Sequence, residues 1–278
     1  MAAETKYSQT EDVYEEKVFT LSVNCAKEAV KRNVKIFIQM STGQVYDAGK
    51  KSSAEDSSTK PWTLIAKAQL RSEEELRKMV GLNVIFVRPA VVYGPSDVSG
   101  ITPRLVVGAV YKHLGETMKL LWSKDLRINT VHVHDVARAI WHLIQSGHVG
   151  QVYNLCDKGD TDQETINAII RKLFKVETGF QGTIISNFAK LNLQSVTEDV
   201  NEKHLQPWSE MCKKAGIENT PLTPYLDQEL LYNNSLRLDG SKIETTGFVY
   251  EHPKVTEELL KEVLDEFVVI KAFPPGLY

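Results

Sequence analysis

The chain has 278 residues, with 33 Lys and Arg against 36 Asp and Glu and a formal charge of -3, enough for one large domain or a domain carrying a smaller lobe. Without a basic excess or a basic stripe, nucleic acid and anionic lipid are excluded as electrostatic partners. No apolar run approaches the roughly 20 residues that a bilayer crossing requires, so no membrane partner is expected.

The opening residues, Met1-Ala2-Ala3-Glu4-Thr5-Lys6, contain no apolar segment of the signal-peptide kind. From Asp12 to Arg32, Val13, Phe19, Val23, Ala26 and Val30 recur at roughly helical spacing. Val34 to Met40 is a compact β-rich run, expected as a strand buried on both faces of a parallel sheet. Asp47 to Lys60 is polar and reads as an exposed loop. Pro61 opens a second helix through Lys67 to about Met79, with Glu73-Glu74-Glu75 as a solvated face.

Asn83 to Val87 is the next buried strand, followed by a helix over Pro103 to Leu114 and a strand over Ile128 to Val133. A helix over Asp135 to Gln145, a strand over Gln151 to Leu155 and a helix over Asp162 to Phe174 continue the alternation, which predicts right-handed crossovers and a parallel sheet. Beyond Phe174 the pattern is a polar stretch to Val200, then helical segments at His204 to Ala215 and Thr256 to Phe267. Three widely spaced cysteines, Cys25, Cys156 and Cys212, suit a reducing, cytoplasmic compartment. Cys25 and Cys156 read as buried small hydrophobes.

Three pieces of distinct chemistry stand in order where parallel strands should end: Ser41-Thr42-Gly43-Gln44-Val45-Tyr46, then Lys67, then Arg88-Pro89-Ala90-Val91-Val92-Tyr93-Gly94-Pro95. Open α/β sheets bind their ligands at such ends. Asn129-Thr130-Val131-His132-Val133-His134-Asp135-Val136-Ala137 follows and leads into Gln151 to Leu155. Together these segments resemble the extended short-chain dehydrogenase/reductase family, which includes nucleotide-sugar epimerases and dehydratases. The resemblance spans nearly the whole chain and is thin between Phe174 and Tyr232. It implies an α/β fold with a Rossmann-like doubly wound parallel sheet lacking its first βαβ units. Residues 1–157 would form that core, and 158–278 a smaller, mostly helical substrate-type lobe packed on it.

The resemblance also implies roles. Thr42 stands where the family's hydroxyl bonds the substrate oxygen. Lys67 stands where a lysine holds the cofactor ribose and depresses the pKa of a tyrosine four residues earlier, since i and i+4 share a helix face. Asn24 matches an asparagine that holds a relay water. Ala3, Lys67, Pro89 and Val92 would contact NAD or NADP, and Tyr93 and Arg127 the substrate. The tyrosine position, however, is Thr63. An aliphatic hydroxyl titrates far above a phenol's value of about 10, so Thr63 reads more simply as a helix-start hydroxyl than as a replacement catalyst.

His132, His134 and Asp135 lack further ligands in their pattern, so no metal site is expected and Asp135 reads as a helix cap. None of the 16 glycines makes the glycine-rich turn that receives a pyrophosphate, Gly179-Phe180-Gln181-Gly182 coming nearest. The resemblance aligns Ala2 and Ala3 after the family's fourth strand, which would leave an uncovered sheet side for a protein partner or a second copy. The leading expectation is a catalytically inactive family member acting as a binding or structural module, open to a small-molecule ligand but binding no NAD or NADP alone. The alternative is an NAD(P)-dependent oxidoreductase or epimerase/dehydratase acting on a sugar nucleotide or another alcohol or ketone. Its cofactor fingerprint would then come from a longer form.

Overall fold

The computed structural model describes residues 3–49, 51–146 and 148–278, so Ala2 of the Ala-Ala pair lies outside the described residues. In chain order it contains α1 (Glu11–Tyr14), a π-helical stretch (Glu15–Thr20), α2 (Leu21–Lys31), β1 (Phe37–Met40), α3 (Leu64–Arg77), β2 (Val84–Pro89) and β3 (Val91–Tyr93). Next come α4 (Thr102–Leu114), β4 (Met118–Leu120), β5 (Thr130–His132), α5 (Val133–Ser146), β6 (Val152–Leu155) and α6 (Gln163–Phe174). The chain ends with β7 (Thr178–Phe180), α7 (Thr183–Leu191), α8 (Leu193–Lys214) and α9 (Glu257–Val269). Parallel strands alternating with helices make this a Rossmann-like α/β fold. No helix among the described residues is long and apolar enough to cross a membrane.

The chain forms two compact units from interleaved segments: 1–90, 129–160 and 234–253 in the first, and 91–128, 161–233 and 254–278 in the second. A single division at Asp157 does not describe this arrangement. Residues 91–128 join the later helices, and 234–253 return to the earlier strands.

The sheet of the first unit has the order β1-β2-β6, all parallel, with Phe37 opposite Val84 and Phe86 opposite Val152. Every residue of β2 is buried, as a central strand demands. In β1 only Gln39 is buried, so the expected strand covered on both faces is instead a half-buried one that pairs on one side only among the described residues. Val23, Ala26, Leu76, Val84, Phe86 and Val152 form the apolar contact between helices and sheet. The inward arc of α2 carries Ser22, Val23, Ala26 and Ala29. At 100° per residue, Asn24 and Cys25 fall outside it. Cys25 is therefore exposed rather than buried, whereas Cys156 is buried as expected.

The second unit closes around one apolar cluster running from Tyr93 and Ile101 through Leu105, Ile170, Phe174, Trp208 and Leu264 to Phe273. β4 and β7 pair in parallel there. α6 starts where Asp162 accepts a hydrogen bond from Thr165 N at 2.9 Å, a cap of the ordinary kind. α8 extends well beyond the expected His204 start. Its buried face is Leu193, Thr197, Asn201, His204, Trp208, Met211 and Cys212, helical in spacing but polar at three places.

Candidate functional site

β1 ends at Ser41, whose N–H still bonds Val87 O at 2.8 Å. Its hydroxyl is buried without a hydrogen-bond partner among the described residues. Thr42 then turns the chain into a short 3-10 segment, Gly43–Val45, by accepting from Gln44 N at 3.2 Å. Gly43 is required here, because a Cβ would stand 3.1 Å from Pro89 O and collide with Leu238.

Thr63, at the family's tyrosine position, is 1 % exposed. It caps α3, its Oγ1 accepting from Ala66 N at 3.2 Å and donating to Gln44 Oε1 at 2.8 Å. Both functions are structural, in keeping with a helix-start hydroxyl. Gln44 Nε2 in turn donates to the phenol oxygen of Tyr7 at 2.9 Å. A tyrosine from the segment before α1 thus reaches the same amide as Thr63. Neither Tyr7 nor Gln44 was singled out by spacing, because their meeting joins residues 37 apart.

Lys67 is exposed on α3. Asn24 is also exposed. The inward polar residue of its helix is Ser22, whose Oγ lies 3.3 Å from Gln39 Nε2. Of the expected cofactor contacts, Ala3 packs against Tyr14, Val18 and Ala68, and Pro89 ends β2 in the first unit. Val92 belongs to the second unit, as do Tyr93 and Arg127. Tyr93 is fully buried in the apolar cluster. Arg127 Nη1 pairs with Asp162, the carboxylate that caps α6, so its guanidinium secures a helix start.

Two buried constructions support the strand ends. Arg88 Nε and Nη2 bond Glu73 Oε1 and Oε2 at 2.9 and 2.6 Å. Glu73 is 1 % exposed, so the acidic run is not wholly solvated. Tyr46 OH donates to Asn154 Oδ1 at 2.8 Å, and burial raises the phenol's pKa. Asn154 Nδ2 donates to Ser53 O and Asp239 O at 3.0 and 3.1 Å, joining β6 to two distant segments.

A further cluster lies where β5 meets α5. Asp135, 0 % exposed, does not cap its own helix, which already begins at Val133. It accepts from Glu251 N at 2.9 Å, His252 N at 2.8 Å and Arg138 Nη1 at 2.7 Å. Burial alone would raise its pKa, but these donors hold it below the usual value. The same carboxylate lies 3.2 Å from His252 Nδ1, and the His252 ring stacks on His132 with centroids 3.9 Å apart. His252 is the third histidine, supplied from far along the chain. Burial, with His252 and His134 nearby, lowers the His132 pKa to about 4.

No turn among the described residues carries the three glycines that receive a pyrophosphate. Gly179 and Gly182 do lie around the link between a strand and a helix, with Gly182 at the start of α7, but the third glycine is missing.

This combination of parallel sheet, strand-end threonine and helix-borne lysine is that of a Rossmann-like α/β protein. Residues 2–156 match the model of the NAD dependent epimerase/dehydratase family, and the chain belongs to that family. No curated protein sequence matches it. Among solved structures it is similar to DesIV, a dTDP-glucose 4,6-dehydratase from Streptomyces venezuelae, at 18 % identity and a TM-score of 0.66, covering 100 % of this chain and 74 % of that one. It is also similar to the UDP-glucuronic acid 4-epimerase of Bacillus cereus (13 %, 0.66, 97 % and 74 %). WbmG of Bordetella bronchiseptica, solved with NAD and UDP, is a third such structure (17 %, 0.65, 98 % and 73 %). At these identities the likeness concerns the fold.

Proposed function

We propose that this chain is a binding or structural member of the epimerase/dehydratase family that does not carry out the tyrosine-lysine proton chemistry. The observation that carries the reading is Thr63: four residues before Lys67, buried, and engaged as a helix cap and as a donor to Gln44. Its hydroxyl cannot exchange a proton near neutral pH as a phenol paired with lysine does. The half-buried β1, paired only with β2 among the described residues, supports a protein partner or a second copy adding a strand at that edge. Calorimetric titration of NAD and NADP into the purified chain tests the reading. No micromolar binding is expected, and tight stoichiometric heat would overturn it. Light scattering on the same protein should find it self-associated or stable only with a partner, against a cooperatively melting monomer.

A second reading is favoured by Tyr7, whose phenol stands one amide away from Thr63. Here the chain would be an NAD(P)-dependent enzyme for sugar nucleotides, the kind of ligand named for its structural relatives. Tyr7 would exchange the substrate proton. A 340-nm signal with NAD and a UDP- or dTDP-sugar, lost in Tyr7→Phe and kept in Thr63→Ala, would establish this reading over the first.

A further inference from the structure

We propose that His132, His134 and His252 form a binding site for one divalent transition-metal ion of the zinc, nickel or copper class. Each residue offers one imidazole nitrogen, and the three nitrogens lie within 4.8 Å of one another. Imidazole donors suit these ions, whereas magnesium and calcium select oxygen. Three protein ligands would leave a further position for water or an anion.

The surroundings are built for ligation in two respects. Asp135 Oδ2 takes the Nδ1 side of His252 at 3.2 Å, which places that ring's proton on Nδ1 and its lone pair on Nε2. A carboxylate behind a ligating histidine is the usual means of orienting such a ring and raising its basicity. Arg138, 2.7 Å from the other oxygen, and the N–H groups of Glu251 and His252 hold the Asp135 carboxylate in place. Secondly, His132 Nδ1 accepts a long hydrogen bond, 3.3 Å, from His134 N, so a lone pair already resides there.

The rings of His132 and His252 stack, their planes 25° apart. A shell with metal–nitrogen distances of about 2.0–2.1 Å brings the nitrogens to roughly 3.4 Å from one another, so the rings must turn to converge. His134 is exposed, which permits its ring to swing inward, while half-buried His252 need only tilt about its Nδ1 contact with Asp135 and buried His132 serves as the fixed ligand.

The test uses the full 278-residue chain, stripped with chelator and titrated with zinc by calorimetry and with cobalt by visible absorption. One ion per chain at micromolar or tighter affinity is expected, with the visible band of a four- or five-coordinate cobalt centre. His134→Ala alters an exposed side chain and should fold normally while losing at least about tenfold in zinc affinity. His252→Ala should lose at least as much, and exposed His113, on α4, serves as the control whose replacement changes nothing. Should His252→Ala fail to fold, His134→Ala alone decides. Absence of zinc uptake, or affinity unchanged in His134→Ala, overturns the proposal.

Discussion

The unit made of 1–90, 129–160 and 234–253 buries polar groups in matched sets: Arg88 with Glu73, Tyr46 with Asn154, Thr63 with Gln44, and Asp135 with the 251–252 backbone. The unit made of 91–128, 161–233 and 254–278 instead closes around the apolar cluster from Tyr93 to Phe273. The first construction depends on partners and the second on volume. In the first, removing one group strands another in a medium that cannot solvate it. In the second, removing atoms leaves a cavity, and the kind of atom matters less than the space it filled. The candidate catalytic residues Thr42, Lys67 and Thr63 all belong to the first unit, where chemistry is held by specific pairs.

The sharpest way to break this contrast is at Arg88, which is 4 % exposed. Arg88→Ala should destabilise the protein by up to about 3–5 kcal/mol in urea unfolding, because buried Glu73 loses both short bonds and keeps only the half-exposed Arg77, 3.6 Å away. Replacing both residues with apolar ones, Arg88→Met with Glu73→Leu, should recover most of that loss. A single substitution no worse than one at the exposed Arg32–Glu28 pair would show that the polar sets are incidental.

In the second unit, Leu105→Ala should cost about 2–5 kcal/mol and Leu105→Met under about 1.5, since only the former opens a cavity. Equal losses from the two would mean that this cluster, too, depends on specific geometry.

Much of this organisation was legible in the sequence, and the exceptions share a cause. α6 was visible because Asp162 caps it and its apolar residues repeat at helical spacing. The strand-end Thr42 and the buried β2 were visible for comparable local reasons. α8 was foreshortened because Thr197, Asn201 and His204 occupy its inward face, so an apolar period could not register it. Glu73 was assigned to solvent because its partner Arg88 lies on another element. Asp135 was assigned as a cap, and His252 was overlooked, because their encounter depends on the 251–252 segment returning to α5. Local propensity is written in consecutive residues, whereas a buried polar pair is written in two places at once.

Acidification sharpens the comparison differently, since each unit holds a buried histidine with its pKa lowered to about 4: His132 in the first and His204 in the second. Burial disfavours the charged form in both. A depressed pKa gives stability fully present above the unfolded value near 6.5 and lost as pH falls toward 4. Asp157 acts in the opposite sense, because burial raises its pKa to about 6. Its contribution is present below the unfolded value near 3.8 and lost as pH rises through 6. The melting temperature should therefore fall by several degrees between pH 6.5 and 4. Asp157→Asn should make that fall steeper, and His204→Gln shallower. An unchanged slope in both variants would exclude these groups as its source.

The smallest expected effect, at Thr63, bears most directly on function. Thr63→Ala removes the hydroxyl that receives Ala66 N and donates to Gln44 Oε1. Loss of a helix cap costs about 1 kcal/mol, and the Gln44 amide loses one of its two bonds while keeping Tyr7. Thr63→Ser should recover most of the loss, because the oxygen alone makes both bonds. If the hydroxyl serves the fold, ligand affinity should stay within about twofold in both variants once the folded fraction is allowed for, since surface-like changes of under 0.5 kcal/mol are expected away from a contact. A Thr63→Ala protein with unaltered stability but abolished ligand binding or turnover would instead place this hydroxyl in contact with substrate and remove the basis for a structural assignment.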